Sequence, residues 1–133
     1  MDANIYREQI IDLYENPLNH GELADPDFTY EEDNPLCGDV IRIDVVLDEQ
    51  KRVKEVAWRG DGCAISQAAA SLLTEEIKGK TLDEVKSFTS EELLALVGVP
   101  LSMARVKCAL LSLKVLKAGA YGIPDPDTIR KYE

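Results

Sequence analysis

The chain is poor in several residue types that would decide its chemistry at once. It has one histidine, in the turn-forming Asn19-His20-Gly21, and that residue reads as a surface position. A single histidine makes Cys/His proteolysis a poor reading and leaves no Ser/His/Asp set. Cysteine is scarce and odd in number, three in 133 residues. The start, Met1-Asp2-Ala3-Asn4, lacks the basic and apolar regions of a secretion signal. Both features argue against a disulfide framework, and a reducing, cytoplasmic setting is expected. No apolar run approaches the roughly 18 residues of a membrane span, so no membrane partner is expected. Positive charge is outnumbered, with 15 Lys and Arg against 25 Asp and Glu, for a net charge of −10. Phosphate backbones would be repelled, and no basic run with interleaved aromatics offsets this, which argues against nucleic acid. Neither a Walker loop nor a Gly-x-Gly-x-x-Gly is present, and there are no repeats or interdomain linkers. What remains is an ordinary soluble composition, 45% hydrophobic and 30% charged, expected to form one domain over residues 1–133.

The hydrophobic pattern predicts the elements. Ile5 to Tyr14 carries apolar residues at helical spacing and Asn16-Pro17 stops it. Phe28 to Asp33 predicts a short edge strand, acidic on one side. Val40 to Asp48 alternates as a half-buried strand, Glu49-Gln50-Lys51 turns, and Arg52 to Trp58 alternates again. These three make a small antiparallel sheet, with Gly60-Asp61-Gly62 breaking the last strand. Ile65, Ala68, Ala69, Leu72, Leu73 and Ile77 trace one helical stripe, and the small run Ala68-Ala69-Ala70-Ser71 calls for close packing. Thr81 and Thr89 each precede a glutamate by three residues and predict two short capped helices. A last helix is expected from Arg105 to Ala118, with Val106, Ala109, Leu110, Leu113 and Leu116 or Lys117 on successive turns, ended by Gly119 and Gly122. Residues 123–133, with two prolines, are expected to be a mobile tail. The fold class is α+β: a three-stranded antiparallel sheet packed against helices in two layers.

Each cysteine falls at an element boundary. Cys37 lies in Asn34-Pro35-Leu36-Cys37-Gly38-Asp39, before the long strand. Cys63 lies in Gly60-Asp61-Gly62-Cys63-Ala64-Ile65-Ser66, where a helix N-terminus favours a thiolate. Cys108 falls in the first turn or so of the last helix, with Arg105 one turn behind and Lys107 beside it. Three thiolates and the Asp39 carboxylate make a four-ligand set for one metal ion. The spacing is unlike the paired cysteines of a zinc finger, so such a site would be assembled by the fold. The plainer alternatives are cysteines as small buried hydrophobes and Asp39 as a turn residue. The basic residues Arg105, Lys107, Lys114 and Lys117 are either a solvated helix face or a local field that holds thiolate or attracts an acidic partner.

From about Tyr6 to Tyr121 the chain resembles the iron–sulfur cluster assembly family of IscU, SufU and the N-terminal domain of NifU. The resemblance rests on Tyr14-Glu15-Asn16-Pro17-Leu18-Asn19-His20-Gly21 and on the two motifs around Cys37 and Cys63. It implies the two-layer domain of SufE- and NifU-like proteins. It also implies a site of Cys37, Asp39, Cys63 and Cys108 that binds zinc, or alternatively iron or a 2Fe–2S cluster. Ala104-Arg105-Val106-Lys107-Cys108 resembles the Arg-x-x-Cys segment of SufU. Lys107 stands where IscU-type scaffolds carry histidine, and Val99-Pro100-Leu101-Ser102-Met103 does not match their chaperone segment. The interval from Cys63 to Cys108 leaves little room for the SufU-type insertion, so the chain is SufU-like at the site and IscU-like in length. The SufU resemblance implies a sulfur carrier served by a cysteine desulfurase, with Cys37 as acceptor, and the i−3 position of Arg105 from Cys108 is expected to face it toward the site as a support for negative charge on sulfur. The IscU resemblance implies a scaffold that passes its cluster to iron–sulfur acceptor or downstream scaffold proteins. A structural zinc domain used for binding is the remote third reading.

Overall fold

Alternation along Ile41, Ile43 and Val45, all buried, fixes which face of the sheet meets the helices. In the computed structural model, which describes residues 3–34 and 38–122, these residues lie on the central strand of a three-stranded antiparallel sheet. The strands are β1 (Phe28–Asn34), β2 (Asp39–Leu47) and β3 (Val53–Asp61), in the order β1-β2-β3. Val56 and Trp58 pair with Val45 and Ile43 and extend the same buried face. The helices are α1 (Ala3–Glu15), α2 (Ala64–Glu76), α3 (Leu82–Ser87), α4 (Ser90–Val97) and α5 (Met103–Tyr121). α2 and α5 pack on each other and on the sheet, α1 packs on α2, and α4 packs on both central helices. Ala68, Ala69, Ala70 and Ser71 are all buried, the close packing that their small size predicts. The capping boxes of Thr81 with Glu84 and Thr89 with Glu92 are both made.

β3 ends at Asp61 and α5 at Tyr121 with Gly122 as its C-cap, as expected, but Gly60 and Gly119 lie inside these elements and serve as contacts. β3 runs through Gly60, which pairs with Ile41, and a Cβ at Gly60 would run into the Val40 carbonyl. The glycine keeps the strand paired and does not end it. α5 likewise runs through Gly119, where a Cβ would lie 2.6 Å from the Phe28 ring on β1. At its other end α5 starts before Arg105. Ser102 is the N-cap, its Oγ accepting from the Arg105 N–H at 3.4 Å, so Cys108 lies in the second turn. The single stripe expected on α5 is too narrow. Cys108, Leu111, Ser112, Val115 and Gly119 are buried together with Ala109, Leu113 and Leu116, because this helix is enclosed by the sheet, α2, α3 and α4. A helix buried on several faces leaves no clean 3.6-residue period to read.

The segment after α1 binds the free edge of β3. The Leu18 N–H donates to Ser71 Oγ at 3.2 Å and Asn19 Nδ2 to Thr74 Oγ1 at 3.1 Å, both on α2. The Trp58 N–H donates to the Asn19 carbonyl and the Gly21 N–H to the Trp58 carbonyl, each at 2.9 Å. The Trp58 indole N–H closes on the Leu18 carbonyl at 2.8 Å, and the exposed His20 ring stands edge-on to the indole at 4.9 Å. The chain then crosses the outer face of the sheet, where the Leu23 N–H reaches the buried Asp44 carboxylate at 3.1 Å. This strap covers the unpaired β3 edge and joins the helix layer to the strands. The expected tail at residues 123–133 lies outside the described residues.

Candidate metal centre

At one end of the sheet the β1–β2 hairpin, the β3–α2 junction and the second turn of α5 meet. Asp39 is the first residue of β2 and pairs with Asn34 across the hairpin. Cys63 is the N-cap of α2, in extended backbone, and its side chain makes no capping hydrogen bond. Cys108 is buried on α5. One carboxylate oxygen of Asp39 and the two sulfurs all lie within 4.8 Å of one another. Cys37, expected as a fourth member, lies outside the described residues.

The local chemistry explains why these groups stay together. Asp39 Oδ1 accepts the Cys63 N–H at 3.1 Å, so a carboxylate from a distant strand serves an N–H that helix residues cannot satisfy. α2 has no acidic residue in its own first turn, and Asp39 takes that place at the positive end of the helix. The turn is tightened by Ser66 Oγ donating to the Cys63 carbonyl at 3.0 Å and by Gln67 Nε2 donating to the Gly62 carbonyl at 2.9 Å. Gly62 is required by space. A Cβ there would lie 2.5 Å from both Asp39 Oδ1 and Ser66 Oγ. Sequence reading took Gly62 as a strand breaker and as part of the Cys63 motif, and its contact role appears only when Asp39 is brought beside it.

Asp39 is 1% exposed, and its second oxygen, Oδ2, is buried with no hydrogen-bond partner. Leaving a buried carboxylate oxygen unserved costs free energy unless a cation sits against it. Once both thiols are ionised, three charges within 4.8 Å of one another repel by roughly 3–4 kcal/mol or more per pair at an effective dielectric near 20. A divalent cation removes both costs. The donor set of sulfur and one oxygen is the kind that holds zinc or an iron–sulfur cluster. The residues present therefore fit a metal. When one is bound, Cys63 and Cys108 are held as thiolates.

The basic residues divide between two grooves, Lys107 and Lys114 on one and Arg105 on another. Lys114 is held by Glu32 of β1 at 2.8 Å, a hydrogen bond and charge pair that raise the lysine's pKa. Lys107 opens on the groove that Lys114 also lines, with Asp33, Asn34 and Leu110, beside the β1–β2 hairpin. The exposed Arg105 lines a different groove, with Arg7 and Ile10 of α1 and Ile65 of α2. No helix among the described residues is long and apolar enough to cross a membrane.

The family model for the NifU-like N-terminal domain matches residues 5–125. The zinc-dependent sulfurtransferase SufU of Bacillus subtilis is 37% identical over 132 aligned positions, covering 86% of this chain and 88% of that protein. The iron–sulfur cluster assembly scaffold protein IscU of Azotobacter vinelandii is 34% identical over 116 positions, covering 85% of this chain and 89% of that protein. Both alignments cover nearly the same share of this chain. The additional positions against SufU are therefore residues of the Bacillus protein without a counterpart here. Among solved structures, this one resembles FiSufU of Fervidobacterium islandicum AW-1, described as a candidate cluster assembly scaffold for the SUF system. The TM-score is 0.74 at 28% identity, covering 90% of this chain and 99% of that one.

Proposed function

The chain belongs to the family of NifU-like N-terminal domains, and from that premise we propose that it serves iron–sulfur cluster assembly as a zinc-binding acceptor of sulfur from a cysteine desulfurase. The observation that carries the reading is the convergence of Asp39, Cys63 and Cys108 around an unserved buried carboxylate oxygen. Cys37 is proposed as the fourth ligand. It stands two residues before Asp39, so covalent geometry keeps its α-carbon within roughly 7 Å of that of Asp39. The Gly38 N–H donates to the Asn34 carbonyl at 2.8 Å, which supports the reading by fixing the residue before Asp39.

The sulfur transfer uses this chain's own groups. The Cys37 thiolate attacks the terminal sulfur of the desulfurase persulfide. A sulfur–sulfur bond forms at Cys37, the persulfide sulfur–sulfur bond breaks, and the desulfurase cysteine leaves as thiolate. Bound zinc supplies the charge that keeps the cysteines deprotonated. Arg105, one turn before Cys108, is proposed to support negative charge on the transferred sulfur. Lys107 in place of histidine and the Arg-x-x-Cys segment favour the carrier.

The second reading, a scaffold that assembles a 2Fe–2S cluster and passes it on, has its own support in the near gap-free alignment with the Azotobacter scaffold. The experiment is to load the protein with zinc and add a cysteine desulfurase with cysteine. The carrier reading expects desulfurase turnover to rise several-fold and Cys37→Ala to abolish the rise. Inhibition by zinc, together with a 2Fe–2S chromophore on the zinc-free protein that transfers to an apo-ferredoxin, would establish the scaffold instead. A purely structural zinc site would unfold on Cys37→Ser, whereas either functional reading leaves the fold largely intact.

A further inference from the structure

Among the described residues, two buried side-chain oxygens have no hydrogen-bond partner: Asp39 Oδ2 and Ser112 Oγ. The first belongs to the ligand set. The second lies one helical turn beyond a ligand, since Ser112 follows Cys108 by four residues on α5. Positions four apart share one helix face, and side chains tilt toward the helix N-terminus, so Ser112 leans toward the Cys108 side chain.

A buried helical hydroxyl ordinarily bonds back to the carbonyl one turn earlier. Thr74 does so in α2, donating to the Ala70 carbonyl at 2.7 Å. Ser112 is equally enclosed, at 1% exposure, yet makes no such bond. Its proton therefore lacks an acceptor, the Cys108 sulfur included, while a stronger acceptor stands one turn earlier on the same helix face once a bound metal holds Cys108 as a thiolate.

We infer that Ser112 donates a hydrogen bond to the Cys108 sulfur in the metal-loaded site and is a positioning residue for that ligand. The inference rests on the metal-binding reading above and adds a residue outside the four proposed ligands. Ligand sulfurs are oriented and electronically tuned by such outer partners, whose loss typically weakens metal binding about 10- to 100-fold.

Cobalt(II) is the probe. The unaltered protein must first show sulfur-to-cobalt charge-transfer absorption; without it, the metal reading itself fails. Given that absorption, Ser112→Ala is expected to move the band to longer wavelength, because a thiolate relieved of a hydrogen bond gives up charge more easily. It should also hold cobalt roughly tenfold more weakly. The melting temperature of the metal-free variant should not fall, since an unsatisfied hydroxyl has been removed. Ser112→Thr, which restores a hydroxyl, should return the band toward its original position. An unmoved band in Ser112→Ala, with or without a change in stability, overturns the inference.

Discussion

Gly62 shows how a single missing atom sets the site. Gly62→Ala must displace the Asp39 carboxylate or the Ser66 hydroxyl, each 2.5 Å from the added Cβ. The carboxylate is the one proposed as a metal ligand. The variant should therefore lose zinc affinity by tenfold or more while its metal-free stability changes by only about 1–3 kcal/mol. Competition with a chromophoric chelator, run beside urea unfolding, checks this. Equal zinc retention in the two proteins would refute the role given to Gly62. Residue types were legible in the sequence here. Cys63 and Cys108 stood out by their settings, and Asp39 by its place two residues after Cys37. Gly62 and Ser112 were not legible, because their significance lies in contacts with residues far away in the chain.

At the scale of elements, the strap from Leu18 to Asp27 depends on one buried anion. Asp44 accepts from the Thr29 hydroxyl at 2.7 Å, the Leu23 N–H at 3.1 Å and Arg42 Nε at 3.4 Å. Burial alone would raise its pKa, but these hydrogen bonds and the Arg42 charge outweigh burial and hold it below the usual carboxylate range. A depressed folded pKa means stability that is present above about pH 4 and is lost as pH falls through the folded value. Asp44→Asn should cost about 1–3 kcal/mol near neutral pH, and the gap to the parent should narrow below about pH 4. Urea melts from pH 7 down to 3 measure this, and a gap independent of pH would contradict the ionic account. Strand alternation and the two capping boxes were readable because both are local. Gly122 was read correctly as the end of α5, but Gly60 and Gly119 were misread as breaks because they answer to neighbours on other elements, Val40 and Phe28.

For the whole molecule, the central claim is that the fold itself assembles a thiolate–carboxylate metal centre. The sheet brings Asp39 to its end, α2 starts there at Cys63, and the enclosed α5 carries Cys108 against both. Their separation along the chain hid this proximity from spacing arguments, and resemblance to the family supplied what local pattern could not. The most direct test is X-ray absorption at the zinc edge of the zinc-loaded protein. The account predicts a four-coordinate shell of three sulfurs at about 2.3 Å and one oxygen at about 2.0–2.2 Å, with one sulfur lost in Cys63→Ser and one in Cys108→Ser. A shell without sulfur, or one unchanged by both substitutions, would contradict it.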